Sequence, residues 1–408
     1  MGKVIVIGGG AAGILAAISA AGMGDEVIIL EHTKALGKKL LSTGNGRCNL
    51  TNKKQDDSFY RTENPGFPIP ALTRFGYRET INFFNSLGLY CKERDGYVYP
   101  RSSQAAAVRN LLLEELFRLG VEIRTECEVR KLQRKTKGFL VLAADTSFYG
   151  DSVILACGGK SAPVTGSDGS GYGLAEALGH RLIPPVPALT GLRAAENPLK
   201  KAAGVRTDGR VSLYIEENGK ERLVGSDAGE LQLTDYGISG IPVFQVSRFA
   251  SRALEQGMGV TARLNFLPEY DRDEAEELLE TVLQRTEEDC FSLLLGLFPE
   301  KLAAVLLKKA GLPVHIPAGR LSGRQKQAIV DTVCRLRLSI SAVNDFSQAQ
   351  VTAGGIDTRD VNEETMESRL VPGLYFAGEM LDVDGICGGY NLQWAWASGF
   401  LAGKQGRP

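Results

Sequence analysis

VIVIGGGAAGILAAISAAGMGDEVIILE, residues 4–31, is the stretch that decides the fold. Residues 4–7 form a short β-branched run of the kind that a strand buried on both faces requires. Gly8, Gly10 and Gly13 follow as G-x-G-x-x-G, and residues 11–21 continue as a small-residue helix. Gly8 serves the tight turn, Gly10 brings backbone amides up to a pyrophosphate, and Gly13 lets helix and strand approach closely. The helix N-terminus offers that pyrophosphate free N–H groups and the positive end of its dipole. A second strand ends at Glu31, 18 residues beyond Gly13, where a carboxylate accepts both ribose hydroxyls of an adenosine. Glu31 would repel a 2′-phosphate, which argues against NADP as the tightly held nucleotide.

The 408 residues suffice for two or three domains. A hydrophobic fraction of 43% and a charged fraction of 23% are those of an ordinary globular protein. A net charge of −1 gives no global field toward nucleic acid or anionic lipid. The apolar run 4–22 lacks a basic flank beyond Lys3, carries GGG inside, and reads as nucleotide fold rather than membrane anchor. No membrane partner is expected. The seven cysteines are scattered, odd in number and free of C-x-x-C, so reduced thiols and a cytoplasmic location are expected. With three histidines in the chain no metal-site spacing appears.

After Glu31, residues 34–52, KALGKKLLSTGNGRCNLTN, mix Gly, Ser, Thr and Asn with Lys38, Lys39 and Arg47. A loop of this composition beside a dinucleotide site is expected to wrap the ligand, with Gly44 and Gly46 allowing backbone contact. Residues 152–159, SVILACGG, read as a buried strand ending in small residues. The texture changes near Pro184, where short alternating segments at 205–207, 211–216, 221–224 and 230–233 suggest an antiparallel barrel. It changes again at Pro268, toward short helices.

A second anchor lies at 373–389, GLYFAGEMLDVDGICGG. Here a buried strand exits at Gly378, and Glu379 places a carboxylate near the ligand, followed by the loop acids Asp382 and Asp384. Gly388, Gly389, Tyr390 and Asn391 then open a final helix at Leu392, whose N–H groups point to the same crevice. Strands from both chain ends meet at one ligand, and everything between them is an insertion.

These residues resemble a known bacterial group, the BaiN/RdsA-like flavoproteins of the glutathione-reductase-like superfamily. The specific pieces are TGNGRCNLTN (43–52), GGKSAPVTGSDGSGY (158–172), LTDYGISGIP (233–242), TAGGID (352–357) and GGYNLQWAWASG (388–399). The resemblance implies an α/β protein whose Rossmann-like FAD-binding domain comes from both chain ends. It implies an FAD-binding part at 1–187, a β-barrel-like domain at 188–267, a helical insert at 268–318, more barrel at 319–351 and the closing FAD-binding part at 352–408. It also implies reductase chemistry fed by NAD(P)H, on uridine in large-subunit (23S) ribosomal RNA or on a small-molecule enone such as a conjugated oxo-bile acid. The uridine reading is placed first. An electron-transfer flavoprotein is a further alternative, weakened by the missing redox C-x-x-C.

With the resemblance, FAD is expected against Gly8, Gly10, Ala11, Ala12 and Gly13 in the first turn and against Glu31 and His32 after the second strand. Lys39, Gly44, Asn45, Gly46, Arg47, Cys48 and Asn49 are expected to contribute from the loop. Val129, Ala156, Cys157, Gly158 and Gly159 are expected in the middle of the chain, and Gly378, Glu379, Asp384, Gly388, Gly389, Tyr390, Asn391 and Leu392 at its end. Reduction of a C=C bond also needs a proton donor. Cys48, beside Arg47, is the candidate for a lowered thiol pKa, with Tyr390, Cys387 and Tyr236 as alternatives. No second G-x-G-x-x-G follows a strand, so no separate nicotinamide domain is visible. An RNA substrate would use basic groups at 38–61 and 200–210 as phosphate contacts.

Overall fold

The computed structural model describes residues 2–407, and the chain divides into two compact units, one of 1–186 with 350–408 and one of 187–349. The first unit is organised by a parallel five-stranded sheet in the order Leu374–Phe376, Ser152–Leu155, Lys3–Ile7, Glu26–Leu30, Glu122–Arg124. Register is regular at its centre, with Val6 opposite both Ile29 and Ile154. The central strands carry no polar alternation because both their faces are covered, and Ile5, Ile29, Val153 and Phe376 are fully buried.

Two helices dominate one face. The first, Ala11–Gly22, packs along the last, Tyr390–Lys404, at a separation that only small residues permit. A Cβ on Gly399 would lie 2.4 Å from the Ala12 carbonyl oxygen, and one on Gly403 would lie 2.3 Å from that of Ala16. Ser19 Oγ donates to the Phe400 carbonyl across the same seam. The two chain ends are thereby locked together, 381 residues apart in sequence.

The second unit contains a closed six-stranded antiparallel barrel, ordered Leu192–Ala194, Gly237–Ser239, Lys220–Leu233, Arg206–Glu217, Val260–Asn265, Leu336–Val343. The four short segments expected between 205 and 233 are two long strands joined at Asn218-Gly219. Glycines inside them mark close approach rather than turns: a Cβ on Gly225 would meet Phe249 and Val246 of the helix Ile241–Glu255 at 3.1 and 3.3 Å.

Where the sequence reading set 268–318 apart as a helical insert, the helices Arg272–Val282, Cys290–Leu294 and Glu300–Lys309 share one hydrophobic core with the barrel. Leu279, Leu294, Leu302 and Leu306 join Val211, Leu213 and Leu338 in it. Where it returned to barrel at 319, a further helix, Gly323–Arg335, comes first. Ser322 and Gln325 form the capping box that starts this helix.

Candidate functional site

A cleft of about 1380 Å³, counting the solvent at its mouth, opens in the first unit beyond the carboxyl ends of the parallel strands. Gly8 follows the first strand, Glu31 the second, Ala156 the fourth in chain order and Ala377 the last, and all four line it. This is where a doubly wound sheet holds its ligand.

Gly8, at φ +105°, makes the turn, and a Cβ there would lie 2.4 Å from the Ala156 carbonyl oxygen. Gly13 does not line the cleft but packs beneath it, where a Cβ would lie 1.9 Å from the Gly8 carbonyl oxygen. Gly10 differs from both. It lines the cleft, and a Cβ on it would meet no atom of the described residues within 4 Å. Its bare Cα faces room for a pyrophosphate, at the start of a helix whose first amides lack intrahelical acceptors.

Glu31 is buried at the cleft wall and oriented by two backbone donors, Gly9 N–H to Oε2 at 2.8 Å and Thr33 N–H to Oε1 at 2.7 Å. Each oxygen keeps a second acceptor position for a ribose hydroxyl. His32 Nδ1 lies 3.6 Å from Glu31 Oε1, and its Nε2 lies 4.0 Å from Asp168. Asp168 belongs to a loop at 165–171 that lines the cleft and that the site reading missed. Ser167 in this loop is buried, and its Oγ has no hydrogen-bond partner among the described residues. The signal was the glycine-rich run GGKSAPVTGSDGSGY, quoted for the resemblance but not assigned to the ligand.

In the middle of the cleft Lys39 Nζ donates to Glu379 Oε2 at 2.6 Å, and Glu379 Oε1 accepts from Thr352 N–H at 2.7 Å. Gly159 lies behind this pair, where a Cβ would meet Thr352 Oγ1 at 2.4 Å. Val129, Cys157 and Gly158 line the wall, as do Ala11, Ala12, Asn391 and Leu392. Burial raises the Cys157 thiol to about 12, and its S–H donates to the Ile7 carbonyl at 3.4 Å.

The loop after Lys39 behaves differently from its expectation. Lys38, Lys39, Leu40 and Thr43 reach the cleft, but Gly44, Asn45, Gly46 and Arg47 are exposed and stand outside its lining. Gly44, Asn45, Gly46 and Cys48 all take positive φ, so the backbone coils tightly on itself.

Cys48 requires a correction. Its thiol is fully buried, does not line the cleft, and is pushed up to about 12 by burial, opposite to the lowered value expected beside Arg47. Arg47 is exposed and leaves the thiol in an apolar surround. Tyr390 also stands outside the lining. Its hydroxyl donates to the Lys54 carbonyl at 3.0 Å, and its ring packs on Phe59 and Tyr60.

Asn391 braces the cleft wall, and the remaining expected residues support it from behind. Asn391 pins Gly385, accepting its N–H and donating to its carbonyl, both at 2.8 Å. Asp384 is buried in a short strand paired with Arg61. Gly378 abuts Ala12, and Gly388 lies against Tyr97. Gly389 caps the last helix at φ +96°, where a Cβ would lie 2.8 Å from the Thr51 carbonyl and 2.9 Å from Asn49 Oδ1. Buried Asn49 Oδ1 has no partner among the described residues. The glycine-lined turn, the oriented carboxylate and the unpartnered Ser167 hydroxyl all suit FAD.

Fold and site together define a two-part dinucleotide site of the flavoprotein oxidoreductase class. The chain belongs to the family described as HI0933-like protein Rossmann domain, which it matches over residues 2–405, and it is an FAD-dependent oxidoreductase. It is 48% identical over 407 residues to the 3-dehydro-bile acid delta(4,6)-reductase of Clostridium scindens, covering 99% of this chain and 98% of that one. It is 31% identical to the ribosomal RNA dihydrouridine synthase of Escherichia coli, covering 98% and 96% of the two chains. With the protein of the same name from Haemophilus influenzae it shares 29% identity over 97% and 96%. Among the described residues no helix is long and apolar enough to cross a membrane.

Proposed function

We propose that the chain reduces a C=C bond conjugated to a carbonyl in a small molecule, using electrons from NAD(P)H in the cytoplasm. Bound FAD would supply the two-electron chemistry between nicotinamide and substrate. The chain's own part is to hold it. Glu31 and Ser167 would take the adenosine end, and Gly10 with the first helix the pyrophosphate. The leading amides of the last helix, at Tyr390, Asn391 and Leu392, would supply donors where negative charge collects on reduction.

One observation favours this substrate class over an RNA base. Three of the basic groups that would track phosphates are already paired with carboxylates: Lys39 to Glu379 at 2.6 Å, Lys53 to Glu93 at 3.4 Å and Arg206 to Glu230 at 2.8 Å. A cation already paired releases fewer counterions on meeting a phosphate, so it adds less to RNA affinity. The 48% identity to a protein named as a bile acid reductase supports the same reading.

The test is a single-turnover competition. Holoenzyme reduced anaerobically with NAD(P)H is mixed with a conjugated 3-oxosteroid or with a pre-ribosomal RNA transcript. Rapid reoxidation by the steroid, with a product two hydrogens heavier, is expected. Faster reoxidation by the transcript, with dihydrouridine formed, would reverse the assignment toward the function named for the 31% identical relative.

A further inference from the structure

The first unit carries a face that neither its core nor the FAD cleft uses. Residues 90–101 read YCKERDGYVYPR, and the strands Cys91–Arg94 and Tyr97–Pro100 within them form a hairpin that turns at Asp95-Gly96. The register pairs Lys92 with Tyr99 and Arg94 with Tyr97. Arg101 N–H donates to the Tyr90 carbonyl at 2.8 Å, which carries the same register one outward pair further. Opposed residues of an antiparallel pair share a face, and so do residues two apart along a strand. One face of the hairpin therefore holds three pairs, each of one tyrosine and one cation: Tyr90 with Arg101, Tyr99 with Lys92, and Tyr97 with Arg94.

The other face belongs to the core side of the hairpin. Val98 and Pro100 are buried there, and Glu93, on the same side, lies 3.4 Å from Lys53 and accepts the Gly96 N–H at 2.8 Å. On the tyrosine side Lys92, Arg94 and Arg101 are exposed, Tyr97 and Tyr99 are half-buried, and Tyr90 is 69% exposed. Lys92 and Arg101 have no carboxylate partner among the described residues. Arg94 has Asp95 at 3.7 Å, in a pair so exposed that water screens most of it.

One end of this face reaches the start of the last helix. Tyr97 also pairs with Asn52, whose Nδ2 donates to the Gly388 carbonyl at 3.0 Å. A Cβ on Gly388 would lie 3.1 Å from Cε1 of the Tyr97 ring. Gly388 leads into Tyr390–Lys404, the helix whose first amides are assigned above to FAD. From Tyr97 to Arg101 the face runs about 14 Å at the usual rise of a strand, enough to lay out an extended dinucleotide.

We propose that this face docks the nicotinamide dinucleotide that supplies the electrons, with its adenine stacked on Tyr90, its diphosphate between Arg101 and Lys92, and its nicotinamide end directed along the hairpin toward Gly388. This rests on the reductase reading above and gives its NAD(P)H a place that no second glycine fingerprint provides. Purine rings stack on aromatic side chains whatever their sequence context. Two unpartnered cations match the two charges of a diphosphate, and each forms a charge-assisted bond with it. The Asp95 carboxylate closes the inner end, where it would repel the next phosphate of a polynucleotide. An open face rather than a deep pocket fits a donor that arrives, gives up its electrons and leaves.

The experiment uses the oxidised holoenzyme with NAD⁺ and NADP⁺, neither of which can reduce the flavin, and reads their binding by calorimetry. The variants are Tyr90→Leu, Lys92→Glu and Arg101→Glu, with Lys137→Glu in the turn of a different hairpin as the control for charge alone. FAD content and melting temperature check that each is folded. The wild type is expected to bind at least one of the two dinucleotides. Lys92→Glu and Arg101→Glu should each weaken that binding by about tenfold or more. Tyr90→Leu should weaken it by about tenfold, and Lys137→Glu should leave it in place.

If the wild type reduces an enone with photochemically supplied electrons but all variants bind the dinucleotides as it does, the face is not the donor site and the reductase reading stands. If dinucleotide binding depends on the face yet no enone is reduced, the donor site stands and the reductase reading falls. Binding of a single-stranded RNA oligonucleotide that the variants lose, with dinucleotide binding untouched, overturns the proposal in favour of an RNA contact. Absence of any dinucleotide binding by the wild type overturns it outright.

Discussion

At one end of the cleft Gly8, Gly13 and Glu31 act within 24 residues of one another. Behind the other, Thr51 Oγ1 must reach Gln393 Oε1 across 342 residues, and Asn49 must meet Gly389. The near end is made almost entirely of backbone: a tight turn, a helix start, and one carboxylate held by two N–H groups. The far end is backed by buried side chains. Gln393 accepts from Thr51 at 2.5 Å and Thr80 at 3.0 Å while donating to the Phe75 carbonyl at 2.7 Å, and Trp396 Nε1 donates to the Leu50 carbonyl at 3.0 Å. A site that needs both ends can form only when the whole first unit has folded. FAD binding and the folding of that unit should accordingly be coupled through mass action.

Substitutions at the two ends should separate these roles, and the largest effect belongs to the near end. Gly13→Val forces the first helix off the first strand, because even a Cβ would stand 1.9 Å from the Gly8 carbonyl oxygen. Loss of FAD and destabilisation of about 3 kcal/mol or more are expected, read by calorimetry and flavin absorbance. Glu31→Ala should cost the apoprotein only about 1 kcal/mol, since the Gly9 and Thr33 N–H groups lose their acceptor at an open cleft, and weaken FAD by about 2–4 kcal/mol in a titration, since charged acceptors for two hydroxyls are lost. A stable Gly13→Val protein with full flavin would remove the near end from the account.

Gln393→Leu should do the reverse of Glu31→Ala. It orphans the Thr51 and Thr80 hydroxyls and the Phe75 carbonyl, all in a buried setting. The apoprotein is expected to lose about 2–3 kcal/mol in denaturant unfolding, with FAD affinity falling only as far as the fold does. Equal effects of the two substitutions on apoprotein stability would erase the contrast between the ends.

The smallest expected effect concerns Cys48. Its folded thiol is raised by burial from 9.0 to about 12, so the unfolded chain ionises first as pH rises. The stability contributed by the protonated thiol is complete below about pH 9 and is lost progressively as pH climbs toward about 12. Cys157, raised to about 12 in the same way, adds to that slope. Cys48→Ala should flatten the alkaline fall in stability while leaving the pH profile of substrate reduction unmoved. A profile that loses a limb in Cys48→Ala would restore the thiol as proton donor.

The same contrast explains what the sequence could and could not disclose. Strand, glycines, helix and Glu31 were legible because each makes its contacts within one βαβ unit, where spacing carries the geometry. The loop at 165–171 was not, since its place depends on packing against His32 and Thr33, far away in the chain. Gly44 and Gly46 were read as ligand contacts, whereas their positive φ values serve the loop's own coil. Gly209, Gly225 and Gly229 fall between the short segments read at 205–233, and the fold uses them as thin places in long strands, beside Leu231, the helix Ile241–Glu255 and Pro242. Composition marks a glycine but not the partner that needs it small.

The most direct test of the central claim, that the two ends of this cleft hold the two ends of one FAD, is a crystal structure of the holoprotein. The account predicts the adenosine ribose on the Glu31 carboxylate, the pyrophosphate over Gly10, and the flavin ring system at the start of the helix Tyr390–Lys404. FAD bound in the opposite sense, or a cleft that stays empty in crystals grown with saturating FAD, would contradict it.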